Sequence, residues 1–583
     1  MSSEGPGPAQ VPAHLLPALQ ASRLWASPPA WADQDHWTLR LPMPEWGLAL
    51  TATWALWQQD PLAPQRLHLL ATAPQPPQAQ DWARWAQDWP LLQPLADACA
   101  QACWGLLPGL HRLALAEGRL QLSLWVGDSP ACQHWLDQTP HHVWGQPPTA
   151  SASASTLHTS AMHAPAVPPA RPVGAAARQA LVLGSGLAGA SAAWALATHG
   201  FEVTVLEAGP TPAHGASGLP VGLMTPHVSG DDNPLSRLTR AGLRQVLDHA
   251  RAHLQAGEDW SPSGLFERRM SGKARRGRWP QAWVEPSGSD EFKLIGAAKD
   301  WFSPASDAQH RCAGLPAPDP GPAMESKGIW HSQAGWMKPA RLVASLLDHP
   351  LIHWQANTVV HSLYREARSA EWLAVDEHGA RHMAEHVVIA LGPSSLALLE
   401  KLLPKAHWPL EPLRGQVTGG HLGPAWAGRA PPHPVNGLGS FISGVPMGEG
   451  QTWWYGSTYD HSQLHAVCLP QDQDSNLANL QMLLPQLAGL LPAPGSPDME
   501  ETAKHLHNWA GVRCTTYDRL PVVGSLAPLG APGVHLLTAL GSRGITLSLL
   551  CAQLLAAQIC GEPLPIDPAL AHLLRPERFK KRL

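Results

Sequence analysis

The chain has 583 residues, a formal net charge of −5 and only 15% charged residues. This length predicts roughly two to four domains, and the charge balance excludes nucleic-acid binding by overall charge, which leaves local basic patches for that purpose. The eight cysteines include no C-x-x-C pair, the N-terminus lacks a secretory-signal pattern, and no apolar run reaches the ~18 residues of a membrane span, so we expect a reduced, cytoplasmic protein without a zinc site.

The first element in the chain is a strand-like run at 36–43, which leads through a turn into a Trp- and Ala-rich helical segment. A turn between a strand and a helix is where α/β proteins bind a cofactor, but this turn carries a single glycine, Gly47. The pattern leaves open a cofactor site, the remnant of one, or a buried helix. We expect Trp46, Trp54 and Trp57 to pack the helix against its sheet.

A β-hairpin is predicted over His111–Asp128, where two alternating runs flank a Glu-Gly pair. The stretch that follows, Gly145–Arg178, is rich in Ala, Ser and Pro and lacks an apolar period, which predicts a flexible linker. We therefore divide the chain into a shortened α/β domain at 1–145, a linker at 146–178 and a larger domain at 179–583.

The strongest motif follows the linker, where a short apolar strand, Ala180–Leu183, enters a glycine-rich turn and an Ala-rich helix. Gly184 permits the tight turn, Gly186 lets a pyrophosphate approach the backbone, and Gly189 lets helix and strand pack closely. A second strand ends at Glu207, which can accept hydrogen bonds from ribose hydroxyls and favours FAD or NAD over NADP. The complete strand–helix–strand–acid arrangement predicts a dinucleotide-binding domain.

A second glycine-rich turn lies near the C-terminus, between a short strand and a long apolar helix within Leu536–Gly561. The N-terminus of this helix could stabilise an anionic reduced flavin. A plain core helix is the alternative interpretation.

Nine motifs, in this order along the chain, resemble those of a known family: GSGLAG, LEAG, GASG, DDNPLSRL, GWMKPARL, LRGQVT, GSTYD, GVRCTTYDRLPVVG and GSRGIT. The family is the FAD-dependent half of the bifunctional enzymes that make 5-methylaminomethyl-2-thiouridine at the tRNA wobble position, within the glycine oxidase and D-amino-acid oxidase superfamily. The resemblance covers 178–583. It implies an α/β fold: a Rossmann-like FAD-binding domain with an interleaved mixed α+β substrate domain.

The resemblance also implies a reaction, in which FAD oxidatively removes the carboxymethyl group from 5-carboxymethylaminomethyl-(2-thio)uridine in tRNA. The products are the 5-aminomethyl nucleoside and glyoxylate, and O₂ is the expected electron acceptor. Because the substrate tail is an N-substituted glycine, the reaction needs orientation and a cation for the carboxylate.

Two arginines are candidates for that cation, because a guanidinium can grip a carboxylate with two hydrogen bonds. Arg513 matches the carboxylate-binding arginine of related glycine oxidases, and Arg543 lies in the second glycine-rich turn. We expect Arg414 to orient the flavin edge, while Tyr459 and Asp518 fit core or turn roles better than pocket roles. The other implied cofactor-binding residues are Gly184, Gly186, Leu187, Ala188, Gly189, Glu207, Ala208, Ser217, Gly218, Gly541, Ser542, Gly544, Ile545 and Thr546.

Two basic clusters could hold tRNA phosphates: six Arg and Lys residues within 268–278 and five within the tail 575–583. The alternative for both is a solvated loop.

The N-terminal segment resembles the S-adenosylmethionine-dependent methyltransferase domain of the same enzymes, but its first turn has lost the glycines and the part beyond the hairpin is absent. We therefore expect no S-adenosylmethionine binding and no methylation. Two alternatives for the whole chain remain open: a small-molecule amine oxidase for glycine- or sarcosine-like substrates, and a tRNA-binding flavoprotein without catalysis.

Overall fold

The computed structural model describes residues 13–24, 26–32, 34–87, 89, 92–146, 178–268, 279–287, 291–315, 328–366, 369, 371–491 and 505–579. Its contacts divide the chain into two compact units: unit 1 is Met1–Ala176 with Ala557–Ala571, and unit 2 is Ala177–Ala556 with His572–Leu583. The predicted linker lies, apart from its two end residues, outside the described residues. The grouping of 557–571 with the N-terminal unit is a feature that our sequence-based division does not contain.

Unit 1 is an α/β unit. Its strands are β1 (His36–Arg40), β2 (Arg66–Ala73), β3 (Gly109–Leu115), β4 (Leu120–Val126) and β5 (His142–Val143), and its N-terminal helices are α1 (Leu16–Ala21), α2 (Trp46–Gln59), α3 (Ala79–Ala86), α4 (Gln93–Ala102) and α5 (Pro130–Gln138). The described strands form one sheet in the order β3-β4-β2-β1-β5. The β3–β4 pair is antiparallel, which confirms the predicted hairpin, and the other neighbours are parallel.

Helix α2 is buried on nearly every side, because apolar residues occupy most of its turns. Trp46, Trp54 and Trp57 are each at most 4% exposed and belong to the core of this unit, which confirms the predicted packing. The indole N–H of Trp57 donates to the Pro64 carbonyl oxygen at 2.7 Å, so its one polar group is satisfied.

Tryptophan rings cover the start of α2. A Cβ atom at Gly47 would overlap the Trp85 ring, which therefore rests directly on the glycine backbone. Trp46, Trp82 and Trp85 meet edge to face with ring centroids 4.9 to 5.5 Å apart, an arrangement favoured by the charge distribution of aromatic rings. Tryptophan rings thus cover the first turn of α2.

Glu562 connects the segment 557–571 to the sheet of unit 1. Its carboxylate is 2% exposed, accepts from Arg66 Nε at 3.0 Å and lies 3.1 Å from His68 Nε2. Arg112 donates to the Pro563 carbonyl oxygen at 2.6 Å. Because a buried carboxylate needs a charged partner, these contacts hold the segment in place, and burial lowers the pKa of His68 to about 4 even beside this acid.

Unit 2 carries the remaining strands: β6 (Arg178–Leu183), β7 (Phe201–Leu206), β8 (Gly222–Met224), β9 (Trp260–Ser261), β10 (Leu265–Glu267), β11 (Val284–Ser287), β12 (Glu291–Leu294), β13 (Phe302–Pro304), β14 (Ile329–His331), β15 (Gly335–Met337), β16 (Ile352–Gln355), β17 (Val360–Arg365), β18 (Trp372–Asp376), β19 (Arg381–Ala384), β20 (His386–Ile389), β21 (Glu411–His421), β22 (Val435–Gly437), β23 (Gly439–Met447), β24 (Gly450–Gly456), β25 (His507–Thr515), β26 (Val522–Ser525) and β27 (Val534–Thr538). The helices in the rest of the described chain are α6 (Leu187–Ala197), α7 (Pro234–His253), α8 (Asp307–Cys312), α9 (Pro339–Leu347), α10 (Ser395–Leu402), α11 (Pro470–Leu483), α12 (Gly544–Cys560) and α13 (Pro568–His572).

Two large sheets organise this unit. The first has the order β16-β7-β6-β20-β27-β26 and is parallel except for its last pair. The second is mixed, in the order β13-β14-β10-β22-β23-β24-β21-β25. Because the strands of the second sheet are inserted between those of the first along the chain, the predicted interleaved α/β architecture is confirmed.

The long apolar helix is a core element. Within the described residues, Gly541–Cys560 is the one stretch long and apolar enough to cross a membrane, with a mean hydropathy of 1.4. Polar residues such as Arg543 interrupt it, so it is not an unbroken apolar run. The same stretch is 78% buried inside the folded chain, where it packs as a core helix.

A buried pair of histidines predicts acid sensitivity. His386 Nδ1 and His535 Nε2 lie 3.1 Å apart between β20 and β27, and burial lowers the pKa of His535 to about 3 and that of His386 to about 4. In the unfolded chain both would bind a proton below about pH 6.5. We expect the free energy of unfolding to fall by about 1.4 kcal/mol per pH unit and per histidine as the pH drops from 6.5 towards 4.

Urea unfolding at several pH values measures this slope. His535→Gln should make it shallower, while His378→Gln, at an exposed position, should leave it unchanged. An equal slope in wild type and His535→Gln would contradict the assignment.

Candidate functional site

A cavity of about 1240 Å³ lies in unit 2. The carboxyl ends of four neighbouring parallel strands, β7, β6, β20 and β27, reach it, and the residues that follow each strand line it. Open parallel sheets bind their ligands at this edge, where connections leave in opposite directions. On another side, the cavity is lined from β10, β24 and β25 of the mixed sheet.

The glycine-rich turn has the geometry that its sequence predicts. Gly184 has φ +96°, a conformation that favours glycine, and a Cβ there would lie 2.8 Å from the Ala390 carbonyl oxygen. A Cβ at Gly189 would overlap the Gly184 carbonyl, so only glycine lets α6 approach β6 this closely. At Gly186 a Cβ would come within 3.0 Å of Ser217 Oγ, on the cavity wall.

Glu207 stands directly after β7 and lines the cavity. Its carboxylate accepts hydrogen bonds from the Ser185 backbone N–H at 2.7 Å, the Ser185 hydroxyl at 2.6 Å and the Gly209 N–H at 2.9 Å. These bonds fix the acid beside the glycine-rich turn, where it can accept further hydrogen bonds from ribose hydroxyls.

These features fit FAD. The α6 N-terminus supplies backbone N–H groups and a positive dipole end for phosphates, with Leu187 N–H bound to Ser217 Oγ at 2.9 Å. The turn Gly541–Arg543 and the start of α12 line the cavity as a second helix N-terminus. Glycines leave room for backbone approach and an acid stands at the ribose position, which is the donor and acceptor set that a flavin dinucleotide requires.

Most residues predicted from the sequence to bind the cofactor line this cavity: Gly184, Gly186, Leu187, Ala188, Glu207, Ala208, Ser217, Gly541, Ser542, Gly544, Ile545 and Thr546. Gly189 and Gly218 stand behind the wall. A Cβ at Gly218 would lie 2.8 Å from the Ala213 carbonyl oxygen, so glycine is needed for this close approach of the two backbone segments.

The prediction for Arg414 needs correction. Its side chain is fully buried and does not line the cavity. It donates to Asp472 at 2.5 Å, to the Val467 carbonyl oxygen and to Gln416 Oε1. Because these groups enclose the guanidinium away from the cavity, Arg414 anchors the chain after β24 and does not reach the flavin edge.

Arg513 lies on β25 and lines the cavity. Its guanidinium donates to Ser457 Oγ and to the Thr458 carbonyl oxygen, each at 3.2 Å, and lies 4.8 Å from the ring centroid of Tyr459. Burial lowers the pKa of Arg513, and Tyr459 partly offsets this effect. A cation in such a partly desolvated place can bind an anion strongly.

Arg543 occupies the cavity wall at the second turn. Its Nη2 lies 3.4 Å from His227 Nδ1. Burial lowers the pKa of Arg543, while the nearby Tyr459 and Glu267 raise it. The tertiary structure therefore places both predicted arginines in one cavity, with Tyr459 close to each.

Our sequence reasoning missed Glu267, an acid on the cavity wall at the end of β10. Its Oε2 lies 2.9 Å from Nε2 of the fully buried His331 on β14, which orients the carboxylate. No local motif marks this pair, since 64 positions separate its members. The loop 390–394 was also missed, although its sequence, an apolar strand followed by Gly-Pro-Ser-Ser, resembles the first glycine turn.

The basic clusters fall mostly outside the described residues, which end at Arg268 and at Phe579 in these regions. Arg268 donates to the Met482 carbonyl oxygen at 2.9 Å, at the end of α11. In the tail, Arg578 Nε pairs with Asp518 Oδ2 at 3.0 Å, which agrees with a turn role for that acid. These two arginines serve the fold; the others stay predictions.

Comparisons with known proteins identify the family of the chain. A family model described as "FAD dependent oxidoreductase" matches residues 179–558. The chain is 36% identical to the "tRNA 5-methylaminomethyl-2-thiouridine biosynthesis bifunctional protein MnmC" of Polaromonas naphthalenivorans, over 94% of this chain and 91% of that protein. It is 37% identical to the protein of the same name from Delftia acidovorans, over 95% and 93%.

Solved structures share the fold. Glycine oxidase from Geobacillus kaustophilus matches with a TM-score of 0.50 and 18% identity, over 67% of this chain and 97% of that one. L-proline dehydrogenase from P. horikoshii matches with a TM-score of 0.51 and 14% identity, over 69% and 98%. At such identities the likeness concerns architecture alone.

Proposed function

We propose a function for this chain from the family to which it belongs, the FAD dependent oxidoreductases and, with them, the tRNA 5-methylaminomethyl-2-thiouridine biosynthesis bifunctional proteins. As a member, it is an amine-oxidising flavoenzyme. In the proposed reaction it removes the carboxymethyl group from 5-carboxymethylaminomethyl-(2-thio)uridine at the tRNA wobble position. One observation carries the proposal: Arg513 and Arg543 line the same cavity as the dinucleotide cradle. Two cations beside a flavin site suit a substrate with a carboxylate next to the oxidised C–N bond.

We assign a different role to each of the charged residues that line the cavity. Arg513 binds the substrate carboxylate with both terminal nitrogens, and Arg543 adds positive charge from the opposite turn. Glu267, oriented by His331, accepts a hydrogen bond from the substrate amine. The wobble nucleotide must leave its base stack to enter the cavity, because the reacting carbon lies on the base.

The proposed reaction balances as follows. The α-carbon loses a hydrogen together with its bonding electron pair, a C=N bond forms to the nitrogen, and water cleaves that bond to give glyoxylate and the 5-aminomethyl nucleoside. When bound, FAD supplies the acceptor for the electron pair. O₂ then takes up the two electrons together with two protons and leaves as hydrogen peroxide.

Anaerobic mixing with tRNA that carries the carboxymethylaminomethyl group tests the proposal. We expect loss of the oxidised-flavin absorbance and release of one glyoxylate per flavin. Reduction by free glycine or sarcosine at a comparable rate would favour a small-molecule amine oxidase. Binding of the tRNA without any flavin reduction would favour a non-catalytic tRNA-binding flavoprotein.

We further propose that unit 1 has lost methylation. The edge of a parallel sheet where α/β proteins bind ligands is occupied after β1 by Trp46 and by Trp85, which rests on Gly47. A nucleoside cofactor cannot share that space unless the rings move.

We therefore expect no methylated nucleoside when the enzyme is incubated with labelled S-adenosylmethionine and tRNA bearing the 5-aminomethyl group. Equilibrium dialysis should show no retained S-adenosylmethionine. Stoichiometric methyl transfer would contradict the proposal for unit 1 and leave that for unit 2 intact.

A further inference from the structure

The segment between β24 and α11, residues 457–469, forms part of the cavity wall and carries exposed apolar side chains. We refer to it as the 457–469 loop. Tyr459 is 63% exposed and Leu464 60% exposed, and both line the cavity. An exposed aromatic ring at a cavity wall loses no protein packing when it contacts a ligand, and it gains apolar burial.

This exposure belongs to a well-anchored loop. The backbones of Asp460 and Arg414 exchange two hydrogen bonds of 2.9 Å. The buried Arg414 side chain donates to the Val467 carbonyl oxygen at 2.9 Å, and the Leu469 N–H donates to Gln416 Oε1 at 2.7 Å. Because both ends are bound to β21, the backbone that carries Tyr459 has a defined place in the cavity wall.

The position of Tyr459 relative to Arg513 indicates where the base of the proposed substrate would lie. The Arg513 guanidinium lies 4.8 Å from the ring centroid and also donates to Ser457 and Thr458 of the same loop. In the proposed substrate, four bonds of ~1.5 Å link the carboxylate carbon to the base. When extended, these four bonds span about 5 Å. A carboxylate held by Arg513 therefore brings the uracil ring within reach of Tyr459.

We propose that Tyr459 is the stacking platform for the flipped uracil base, a binding subsite distinct from the carboxylate and flavin subsites. The inference rests on the proposed function, which defines the ring and its tail. Arg513 covers one part of the Tyr459 ring, and the exposed remainder receives the base. Aromatic stacking accepts any base, so the Tyr459 ring supplies affinity. The carboxymethylaminomethyl group of the substrate supplies specificity.

The test uses the FAD-loaded full-length enzyme and two probes that it cannot oxidise. One is 5-aminomethyluridine, which has the ring without the carboxylate, and the other is glycolate, which has the carboxylate without the ring. Binding is measured by equilibrium dialysis for the nucleoside and by perturbation of the flavin spectrum for glycolate. The variants are Tyr459→Ala, Tyr459→Phe and, as a control, Tyr364→Ala at a 57% exposed position on β17 outside the cavity wall.

We expect Tyr459→Ala to weaken nucleoside binding about five-fold or more, the loss typical of one stacked base, with glycolate binding unchanged. Tyr459→Phe and Tyr364→Ala should match the wild type. Equal nucleoside binding in Tyr459→Ala and wild type overturns the inference, as does a parallel loss of glycolate binding, which would show that Tyr459 acts through Arg513. If modified tRNA fails to reduce the wild-type flavin but Tyr459→Ala still weakens nucleoside binding, the proposed reaction fails and the base subsite stands.

Discussion

Arg513→Ala abolishes reduction of the flavin by tRNA bearing the carboxymethylaminomethyl group, while FAD stays bound. This is the largest catalytic effect that we expect, because Arg513 lines the cavity and is the residue that the resemblance to glycine oxidases assigns to the substrate carboxylate. Loss of a partly desolvated charged partner costs about 2–5 kcal/mol, so the reduction rate at low substrate concentration should fall about 30- to 5,000-fold. Anaerobic stopped-flow absorbance measures the rate, and the flavin-to-protein absorbance ratio measures bound FAD.

Two further variants separate charge from geometry. Arg513→Lys keeps the charge but cannot form a two-point contact with a carboxylate, so it should recover part of the rate. Arg429→Ala removes an exposed arginine outside the cavity wall and should leave the rate unchanged. Wild-type kinetics in Arg513→Ala would remove this residue from the carboxylate site, whereas loss of FAD would assign it to the fold.

Gly189→Ala prevents FAD binding. The new Cβ would overlap the Gly184 carbonyl oxygen and lie 2.8 Å from the Gly184 carbonyl carbon, and both are backbone atoms that cannot rotate away. Helix α6 would have to move off β6, which displaces the backbone N–H groups that face the phosphates. We expect protein purified without flavin and a free energy of unfolding lower by about 1–3 kcal/mol or more, measured by flavin content and denaturant unfolding.

Gly423→Ala is the matched control, since a Cβ there meets nothing within 4 Å and the backbone needs no positive φ. It should retain FAD and stability. A Gly189→Ala protein with full flavin content would show that α6 can move away from β6 without loss of FAD binding. That result would contradict the packing role of this glycine.

The cofactor half of the site could be predicted from the sequence because its parts are contiguous. Gly184 to Glu207 form one turn–helix–strand unit, in which Gly189 packs against the Gly184 carbonyl and Glu207 binds Ser185. The second turn at Gly541 could be recognised in the same way. The loop 390–394 serves the same sheet edge but lacks a full glycine fingerprint, which is why it was missed.

The substrate half could not be predicted as well, because its members come from distant strands. Glu267 and His331 meet through pairing of β10 with β14, and nothing in either local sequence marks the contact. The prediction for Arg414 was wrong for a related reason: an arginine beside a motif looks available, but the fold buries it against Asp472 and the loop after β24.

The sequence by itself therefore determined the dinucleotide-binding turn of the larger unit, since glycine spacing and hydrophobic pattern act over short distances. Its resemblance to a known family implied the rest: the interleaved fold, FAD as the dinucleotide and the two candidate arginines. Only the tertiary structure decided which side chains share a cavity, that Tyr459 is exposed beside Arg513, and that tryptophans cover the first turn of α2. The physical reason is that burial and side-chain proximity arise from tertiary contacts between segments far apart in the chain, as when Glu562 completes a buried charge cluster with Arg66, 496 positions away.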